Sequence, residues 1–549
     1  MHRLAGDPES TERVPVLVIG GSLVGLSTAM LLGCHGVHAL AVERHAGTAV
    51  HPRAAHFHLR TLEIFRATGI EEVVRTASEE QYDSDGGISA VESLAGREIA
   101  KYIPSLNAGV ELVSPSRRLF LTQETLEPIL RARALELGAE LRYGTELTGF
   151  EEVRDGVLAT IRDVASGDEY RVHARYMVAC DGWRSPVRER LGIEMTGHGL
   201  ISNSVTIYFR ADCSPYKRER TEGVLYVFND VLSGFFRLDR EWRSGFLVVN
   251  TAGDTSRPEA TNVSEWITTE RAAELVRSAI GDAGLAVEIV DIAPWKAIAD
   301  VAATFGRGRV LIAGDAAHTV PPNGGFGGNT GVQDAFNLAW KLAAVLDGRA
   351  GPALIDTYSD ERQPVGRLTV EQAYSRYVTR TAPYLGTDAI EPIVDDLSLE
   401  IGHRYRSAAV IGEGGPDDGL PYADPRSSHG LPGTRAPHLW LERDGARLST
   451  LDLFGTRFTL LAAEHAVAWY EAAAPAAARA GLEIDRHRIG GDGALADVDA
   501  AFPDAYGLSS TGAAIVRPDG YVGWRARDDS AASAEALGHA IAALSCRED

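Results

Sequence analysis

Residues Gly314–Gly331, GDAAHTVPPNGGFGGNTG, decide the fold of this 549-residue chain. A short strand-like segment, Arg309–Ala313, precedes them, and a helix-like segment, Gln333–Leu346, follows them. The pattern places Asp315 at the end of a buried strand, where its carboxylate can accept hydrogen bonds from ligand hydroxyls. The loop that follows is rich in Pro and Gly, so few side chains keep a flat ligand from the backbone. The helix N-terminus that ends the loop favours negative charge.

A second glycine-rich segment lies near the N-terminus. Val16–Ile19 predicts a buried strand, and Gly20-Gly21-Ser22-Leu23-Val24-Gly25 follows it with a helical pattern to about Gly36. His38–Val42 predicts the next strand, and Glu43 ends it. An acidic residue about 20 residues after the glycines is the spacing of a dinucleotide site in a βαβ unit, where it binds a ribose hydroxyl.

This turn departs from the usual pattern at its middle glycine. Gly20 permits the tight turn, and Gly25 permits close packing of the helix on the strand. Ser22 stands at the middle position, where its Cβ narrows the approach to a pyrophosphate while its hydroxyl can donate to one. Taken alone, a chance glycine-rich turn explains the segment equally well; the run around Asp315 favours the cofactor interpretation.

A third segment lies between these two. Arg175–Ala179 predicts a strand, and Cys180-Asp181-Gly182-Trp183-Arg184 follows it. A strand-to-helix turn, with Asp181 as the cap and Gly182 at the bend, explains the segment on structural grounds. A contribution to a cofactor site is compatible with that role.

In chain order, the glycine-rich turn at Gly20, the segment at Asp181 and the segment at Asp315 resemble the FAD-dependent aromatic hydroxylases, the family of p-hydroxybenzoate hydroxylase, over roughly residues 14–400. Within that family the chain is most similar to hydroxylases of aromatic polyketides, of the anthracycline and angucycline type. The chain length and the segments GGSLVGLS, HPRAA, LTQETLEPIL and TLDLFG (Thr450–Gly455) carry this closer resemblance.

The resemblance implies a flavoprotein monooxygenase that binds FAD non-covalently and consumes O2 and NADPH or NADH. It implies hydroxylation of several fused phenolic rings through a flavin C4a-hydroperoxide, with the protein supplying orientation and water exclusion. Baeyer–Villiger oxidation or oxidative rearrangement of such a substrate is the alternative, because substrate pose decides the outcome. A non-catalytic binding protein of the GDP dissociation inhibitor type is a third candidate.

The resemblance and the motifs together predict a cofactor site. Its residues are Gly20, Ser22, Leu23, Gly25, Glu43, Arg44, Arg53, Gln123, Asp181, Gly182, Gly314, Asp315, Pro322, Gly327, Gly328, Asn329 and Thr330. Arg53 and Pro322 are assigned a positioning role in catalysis, and no acid or base is assigned. A surface ion pair is the alternative for Arg53, and a helix N-terminus is the alternative for Gln123. Backbone N–H groups of Asn329 and Thr330 are expected to stabilise charge at the flavin N1–C2=O edge.

Four strand-like patches predict a sheet that covers the flavin: Val205–Phe209, Gly223–Phe228, Gly234–Leu238 and Gly245–Asn250. The candidates for a substrate pocket are Tyr226, Phe228, Phe236, Trp295 and Pro321. Because strand side chains alternate between faces, about half of the strand candidates should face a core instead, and Phe235 points opposite to Phe236. His318 lies near the flavin loop, where a hydrogen-bonded structural histidine is favoured over a proton-transfer group.

The predicted fold is mixed α/β, with a discontinuous Rossmann-like FAD-binding domain, a β-sheet substrate domain and a C-terminal thioredoxin-like domain. The predicted boundaries are 12–75, 115–190 and 290–375 for the FAD-binding domain, 76–114 and 191–289 for the substrate domain, 376–410 for connecting helices, 411–437 for a linker, and 438–549 for the thioredoxin-like domain, which has no CxxC. Pro475 is expected to bend or break the helix predicted over Glu464–Ala480. Pro518-Asp519-Gly520 predicts the turn of a hairpin.

Composition limits the partners and the compartment. A net charge of −22 argues against nucleic acid or an anionic membrane surface as a partner. An anionic cofactor then needs a local basic patch, for which the candidates are Arg44, Arg53, Arg184 and Arg188. The four cysteines have neither metal-ligand nor CxxC spacing, so we expect no metal site and a reduced, cytoplasmic protein. We expect no signal peptide or membrane span, and a monomer or homodimer.

Overall fold

The computed structural model describes residues 11–50, 56–83, 85–386, 388, 390–414, 417–491 and 495–547. Its α-helices are α1 (Leu23–Cys34), α2 (Leu59–Ala67), α3 (Glu71–Gln81), α4 (Gln123–Glu136), α5 (Pro186–Arg190), α6 (Thr269–Ile280), α7 (Phe326–Leu346), α8 (Asp356–Arg380), α9 (Asp396–Ile401), α10 (Val467–Arg479), α11 (Phe502–Ala505) and α12 (Ala534–Leu544). Its strands are β1 (Glu12–Ile19), β2 (Ala39–Glu43), β3 (His56–Phe57), β4 (Ile88–Val91), β5 (Glu98–Ile103), β6 (Leu119–Phe120), β7 (Glu140–Tyr143), β8 (Thr145–Val153), β9 (Gly156–Asp163), β10 (Glu169–Ala179), β11 (Met195–Arg210), β12 (Val224–Phe228), β13 (Leu232–Leu238), β14 (Ser244–Ala252), β15 (Glu288–Ala302), β16 (Gly306–Arg307), β17 (Val310–Ile312), β18 (His318–Thr319), β19 (Trp440–Arg443), β20 (Ala446–Ser449), β21 (Phe458–Ala462), β22 (Ile484–Arg488), β23 (Ala513–Val516) and β24 (Val522–Ala526).

The first sheet carries the three motifs. Its order is β16-β17-β10-β1-β2-β7, and β17, β10, β1, β2 and β7 run parallel. The inner strands are nearly continuous apolar runs because both faces of the sheet are buried, and the same apolar cluster includes residues of α1, α4 and α7 and of strands β8 and β9. Helix α1 packs against α4 and α7. The carboxyl ends of β1, β2, β10 and β17 therefore meet at one edge, where open α/β sheets bind ligands.

The second sheet has the order β18-β15-β11-β14-β13-β12-β4-β5. One face packs against α6 through a buried apolar cluster that includes Ile207, Leu225 and Phe236. The other face carries Tyr226, Phe235, Phe246 and Trp295 and is called the aromatic face below. Strand β18 follows the Asp315 turn directly, so the sheet is anchored beside the first sheet's motif edge.

The structure moves one predicted boundary. Residues 290–302, assigned from the sequence to the FAD-binding domain, belong to β15, which pairs with β11 along most of its length. The alternating burial of β15 is typical of a strand with one face covered, whereas the strands of the first sheet are buried on both faces.

The C-terminal sheet has the order β22-β21-β23-β24, with β21 and β22 parallel and the remaining pairs antiparallel. Helices α10 and α12 contact each other beside it, which is the thioredoxin-like arrangement expected from the sequence. Pro475 was expected to bend or break this helix, and a break is wrong: α10 continues from Val467 to Arg479. Its buried residues Trp469, Ala473, Ala476 and Ala477 pack into the core, and this packing outweighs the one lost backbone hydrogen bond.

The C-terminal domain is attached to the helices of the first domain through buried charge. Arg517, at the end of β23, binds Glu361 of α8 with both terminal nitrogens, at 2.6 and 2.8 Å. Lys341 of α7 donates to the same carboxylate at 2.7 Å, and all three side chains are fully buried. Asn337 of α7 donates both to Glu361 and to Asp519 in the turn after β23. The predicted Pro518-Asp519-Gly520 turn thus lies against α7 and α8.

Among the described residues, no helix combines the length and apolar character that crossing a membrane requires.

Candidate active site

The N-terminal turn is shaped by glycines that no other residue can replace. Gly20 has φ of 108°, and a Cβ there would collide with the carbonyl of Cys180, the residue after β10. A Cβ on Gly25 would collide with the Gly20 carbonyl, and one on Gly21 would lie 2.7 Å from Glu43 Cβ. Leu23 is buried in the core at the start of α1. The turn therefore leaves the N-terminus of α1 accessible beside Ser22, which is exposed.

The Ser22 side chain is part of a hydrogen-bond network with helix α4. Its hydroxyl donates to Glu127 Oε1 at 2.5 Å, and its oxygen accepts from Gln123 Nε2 at 2.9 Å. Gln123 also donates to Glu127 at 2.6 Å, and the Ala49 N–H donates to the other Glu127 oxygen at 2.6 Å. Because its proton is engaged, the Ser22 hydroxyl is not available as a pyrophosphate donor in this arrangement.

Glu127 lies at the centre of this hydrogen-bond network and was not among the residues predicted from the sequence. Its carboxylate is fully buried and joins the glycine turn, α4 and the segment after β2. The segment LTQETLEPIL indicates this contact, because Gln123 and Glu127 are four residues apart and share one helix face.

Glu43 ends β2 beside the same turn. Its carboxylate accepts the Gly21 N–H at 2.7 Å and the His45 N–H at 2.9 Å, and its Oε1 lies 2.6 Å from His45 Nδ1. A carboxylate offers about four acceptor positions, so it has capacity for a ribose hydroxyl as well. Arg44, the next residue, is exposed.

Asp181 and Gly182 follow β10 at the same edge. Asp181 Oδ2 accepts the Val187 N–H at 3.2 Å, near the start of α5, while its Oδ1 is buried with no partner in the part of the chain that the structure describes. Burial raises the pKa of this carboxyl. Arg188 is wrong as a cofactor-facing cation, because it is buried and its guanidinium donates to the carbonyls of Trp183 and Ala316.

Asp315 lies in a short turn immediately after β17. Gly314 before it has φ of 64° and packs against Val24, and its N–H donates to Asp334 at 3.1 Å. Gly314 and Ala316 are buried, whereas Asp315 is exposed at the motif edge. A Cβ on Gly327 would lie 4.0 Å from Asp315 Oδ1, so the first turn of α7 faces this carboxylate.

Helix α7 begins at Phe326, seven residues earlier than the helical pattern predicted. The glycines that indicate a loop form its first turn, so the N–H groups without a partner inside the helix belong to Phe326, Gly327 and Gly328. The side chains of Asn329 and Thr330 serve structure: Asn329 binds the His58 N–H and the His56 carbonyl, and Thr330 donates to the Phe326 carbonyl. The N–H groups that lack a partner inside α7 therefore lie one turn before the predicted position.

His318 has the structural role that the sequence favoured. It is fully buried, and its Nε2 lies 2.8 Å from Asp334 Oδ2. Arg362 donates to the other Asp334 oxygen at 2.8 Å and to the Thr330 carbonyl at 3.1 Å. Burial alone would raise the pKa of Asp334, but Arg362 and His318 hold it below its ordinary value. This buried group fixes β17 against the start of α7.

The aromatic face lies opposite the loop that precedes α7. Tyr226 and Phe228 stack at 6.1 Å, and Phe235 lies 5.6 Å from Tyr226. Trp295 donates to Thr206 at 3.1 Å on the same face, and Pro321 is buried in the facing loop. Phe236 is wrong as a pocket candidate, because it packs under α6 on the other face; Phe235 takes its place.

Two known family models match most of this chain. A model of the FAD binding domain matches residues 13–373, and a model of the aromatic-ring hydroxylase C-terminal domain matches residues 429–545. The chain belongs to the FAD-dependent aromatic-ring hydroxylases. It is therefore a flavoprotein monooxygenase with FAD as its cofactor, and the non-catalytic alternative is excluded.

Two curated relatives and one solved structure place this hydroxylase within its family. A 4-methyl-5-nitrocatechol 5-monooxygenase of Burkholderia sp. is 54% identical over 97% of this chain and 98% of its own. Aklavinone 12-hydroxylase of Streptomyces purpurascens is 39% identical over 95% of this chain and 97% of its own. The crystal structure of an aklavinone-11 hydroxylase with FAD and aklavinone superposes with a TM-score of 0.91, at 37% identity, over 99% of this chain and all of that one.

The residues at the motif edge of this hydroxylase fit FAD. The glycine turn lets a ligand approach the backbone closely, and Glu43 beside it can still accept a hydrogen bond. Asp315 is exposed, and the first turn of α7 presents N–H groups. Arg53 lies outside the described residues. Pro322 is half-buried in the loop before α7. Within the described residues, no group of His, Cys, Asp and Glu side chains could hold a metal ion.

The contribution of Glu43 can be measured directly. Glu43→Ala is expected to weaken FAD binding about fivefold, because it removes an acceptor for a ribose hydroxyl that is worth about 1 kcal/mol net. Titration of apoprotein with FAD, followed by flavin fluorescence, gives the affinity, and Glu124→Ala on the exposed side of α4 is the matched control. The turnover rate at saturating FAD should stay within about twofold, since a hydrogen bond to the ribose is far from the reacting ring. A large rate defect in fully loaded enzyme would place Glu43 in the chemistry instead.

Proposed function

We propose that this monooxygenase hydroxylates an electron-rich phenolic ring with O2, using FAD that NADPH or NADH reduces. The observation that carries the proposal is the aromatic face of the second sheet, which lies opposite the Pro-rich loop at the flavin site. Reduced FAD supplies the activation of O2, as the C4a-hydroperoxide that the family resemblance implies. The chain's own contribution is to orient the ring and to exclude water.

Two substrate classes follow from the relatives. The polycyclic phenols expected from the sequence agree with the aklavinone hydroxylases, which are 37–39% identical to this chain. The nitrocatechol monooxygenase is 54% identical over nearly the whole length, and this higher identity favours a single catechol ring. Both classes present a phenolic hydroxyl, so the proposed chemistry is the same for each.

The reductant is proposed to dock beside Asp181 and Gly182. Trp183 is 39% exposed there, Arg184 lies 4.6 Å from its ring centroid, and Lys296 lies 6.0 Å from it. In the described part of the chain neither cation has an acidic partner, although the protein carries a net charge of −22. An exposed ring flanked by two cations suits a nicotinamide dinucleotide, which has flat rings and phosphates. The sequence contains one dinucleotide fingerprint, which FAD uses.

Charge reversal tests this docking surface. Arg184→Glu is expected to raise the KM for NADPH about tenfold, equivalent to about 1.4 kcal/mol, because it replaces attraction to a phosphate with repulsion. FAD affinity should stay the same. Stopped-flow flavin reduction at varied NADPH measures the effect, with Arg154→Glu in the exposed β8–β9 turn as the control. Equal effects of the two variants would mean that only the overall charge matters.

The function itself is tested with the wild-type enzyme, NADPH and O2, using one catechol series and one polycyclic phenol series. We expect flavin reduction to accelerate when a substrate is present and product to form in proportion to NADPH consumed. Mass analysis separates a hydroxylated ring from a ring-expanded ester, which the Baeyer–Villiger alternative would give. Hydrogen peroxide as the sole product with every phenol would overturn the proposal.

Water exclusion by the aromatic face makes a further prediction. Phe235→Asn is expected to leave NADPH consumption largely intact while product falls and hydrogen peroxide rises several-fold, because a polar side chain admits water beside the activated oxygen. Phe235→Leu, which keeps the surface apolar, should retain coupling of NADPH to product. Hydrogen peroxide and product are measured in the same reactions. Unchanged coupling in Phe235→Asn would remove this face from the pocket.

A further inference from the structure

Asn323 joins three elements at the proposed pocket. It lies between the Pro321-Pro322 pair and the two glycines that precede α7, and its side chain is fully buried. Its Nδ2 donates to Thr381 Oγ1, just after α8, at 2.8 Å and to the Tyr226 hydroxyl on the aromatic face at 3.4 Å. The amide therefore has a fixed position between the flavin loop and the sheet.

The oxygen end of this amide has no partner. Asn323 Oδ1 is buried, and no donor among the described residues reaches it. A buried carbonyl without a hydrogen bond destabilises the folded protein, so native proteins rarely retain one without a use. The neighbouring groups, Tyr226 and Thr381, already engage the opposite end of the amide. A ligand with a hydrogen-bond donor would satisfy the Asn323 Oδ1 acceptor.

We propose that Asn323 Oδ1 accepts a hydrogen bond from a phenolic hydroxyl of the substrate and thereby selects the ring carbon that faces the flavin. The inference rests on the proposed function and makes Asn323 a specificity-determining residue. Asn323 and the helix start at Phe326 belong to one short loop, so a hydroxyl held at Asn323 has a set distance from the flavin site. An electrophilic oxygen adds preferentially next to or opposite a ring hydroxyl, so fixing that hydroxyl fixes the product isomer.

The test pairs a change in the protein with a change in the substrate. The variant Asn323→Leu has a similar volume and no acceptor, and the substrates are a catechol and its mono-O-methyl ether, which lacks one donor. Wild type should prefer the catechol by about tenfold in kcat/KM, because a polar site rejects a ligand that leaves its acceptor unpaired. Asn323→Leu should reduce that preference below about threefold and give mixed product isomers.

Binding measured without turnover separates this inference from the proposed function. Perturbation of the flavin absorbance on titration with each ligand gives the two dissociation constants for the holoenzyme. Loss of the catechol preference in Asn323→Leu, with FAD content unchanged, supports the inference even if no product forms. Failure of wild type to hydroxylate any phenol would overturn the proposed function instead.

Two further variants distinguish loss of the acceptor oxygen from a structural effect of the substitution. Asn323→Asp retains an acceptor oxygen and should retain the preference for the catechol, whereas Asn323→Ala should lose it like Asn323→Leu. Ser233→Ala is the control, because Ser233 donates to the Thr381 carbonyl and does not contact Asn323. Equal losses for both substrates in Asn323→Leu and Asn323→Ala would show a purely structural role and overturn the inference.

Discussion

Asp315→Ala is expected to weaken FAD binding roughly 10- to 150-fold, since a hydrogen bond to a charged group contributes about 1.5–3 kcal/mol. The carboxylate is exposed at the end of β17, beside the first turn of α7, where ligand hydroxyls can reach it. Its two chain neighbours are buried, so the change should leave the fold intact. Equilibrium dialysis or fluorescence titration of the apoprotein measures the affinity.

Asp315→Asn is the matched comparison for this residue. It keeps one acceptor oxygen and the side-chain shape, so the loss should be smaller than in Asp315→Ala. Circular dichroism of the two apoproteins establishes that the fold is retained. An FAD affinity of Asp315→Ala equal to that of wild type would show that no FAD hydroxyl binds Asp315 and that the FAD assignment at this edge is wrong.

The glycine turn and the strand ends were predictable because they depend on local geometry. Gly20 and Gly25 must lack a Cβ wherever this βαβ turn is built, and Glu43 ends the second strand by sequence pattern alone. The start of α7 was not predictable, because Gly has low helix propensity and its use here comes from packing. A Cβ on Gly331 would lie 3.1 Å from Gly314 Cα, so close contact between two distant segments requires the glycine.

The residues that face the candidate pocket could not be predicted from the sequence. Phe235 and Phe236 are adjacent aromatic residues in a strand buried on both faces, so periodicity does not determine which one faces the flavin loop. Only the partners of β13, namely α6 on one side and the aromatic face on the other, settle the matter. The contact between Ser22 and Glu127 was not predictable for a related reason, since their hydrogen bond joins residues 105 positions apart.

The buried ion pair between α8 and the C-terminal domain could not be predicted from the sequence either, because Glu361 and Arg517 are 156 residues apart. Burial alone would raise the pKa of Glu361, but Arg517 and Lys341 hold it well below its ordinary value. Burial lowers the pKa of Lys341 to about 8 despite the adjacent carboxylate. Arg362, the next residue on α8, binds Asp334, which accepts the Gly314 N–H beside Asp315. The domain contact and the flavin site therefore share two helices.

Arg517→Met is expected to lower the free energy of unfolding of the holoenzyme by about 3–5 kcal/mol, because removing one partner leaves the other charges buried and uncompensated. Arg527→Met is the control: its ion pair with Glu413 is 3.0 Å long, but the Arg527 side chain is 69% exposed, and such pairs contribute about 0–1 kcal/mol. Denaturant unfolding followed by both tryptophan and flavin signals measures the effect. If the contact supports the flavin site, flavin release in Arg517→Met should shift to lower denaturant together with the tryptophan signal. A flavin transition that stays at the wild-type midpoint would show that the C-terminal domain is attached without supporting cofactor binding.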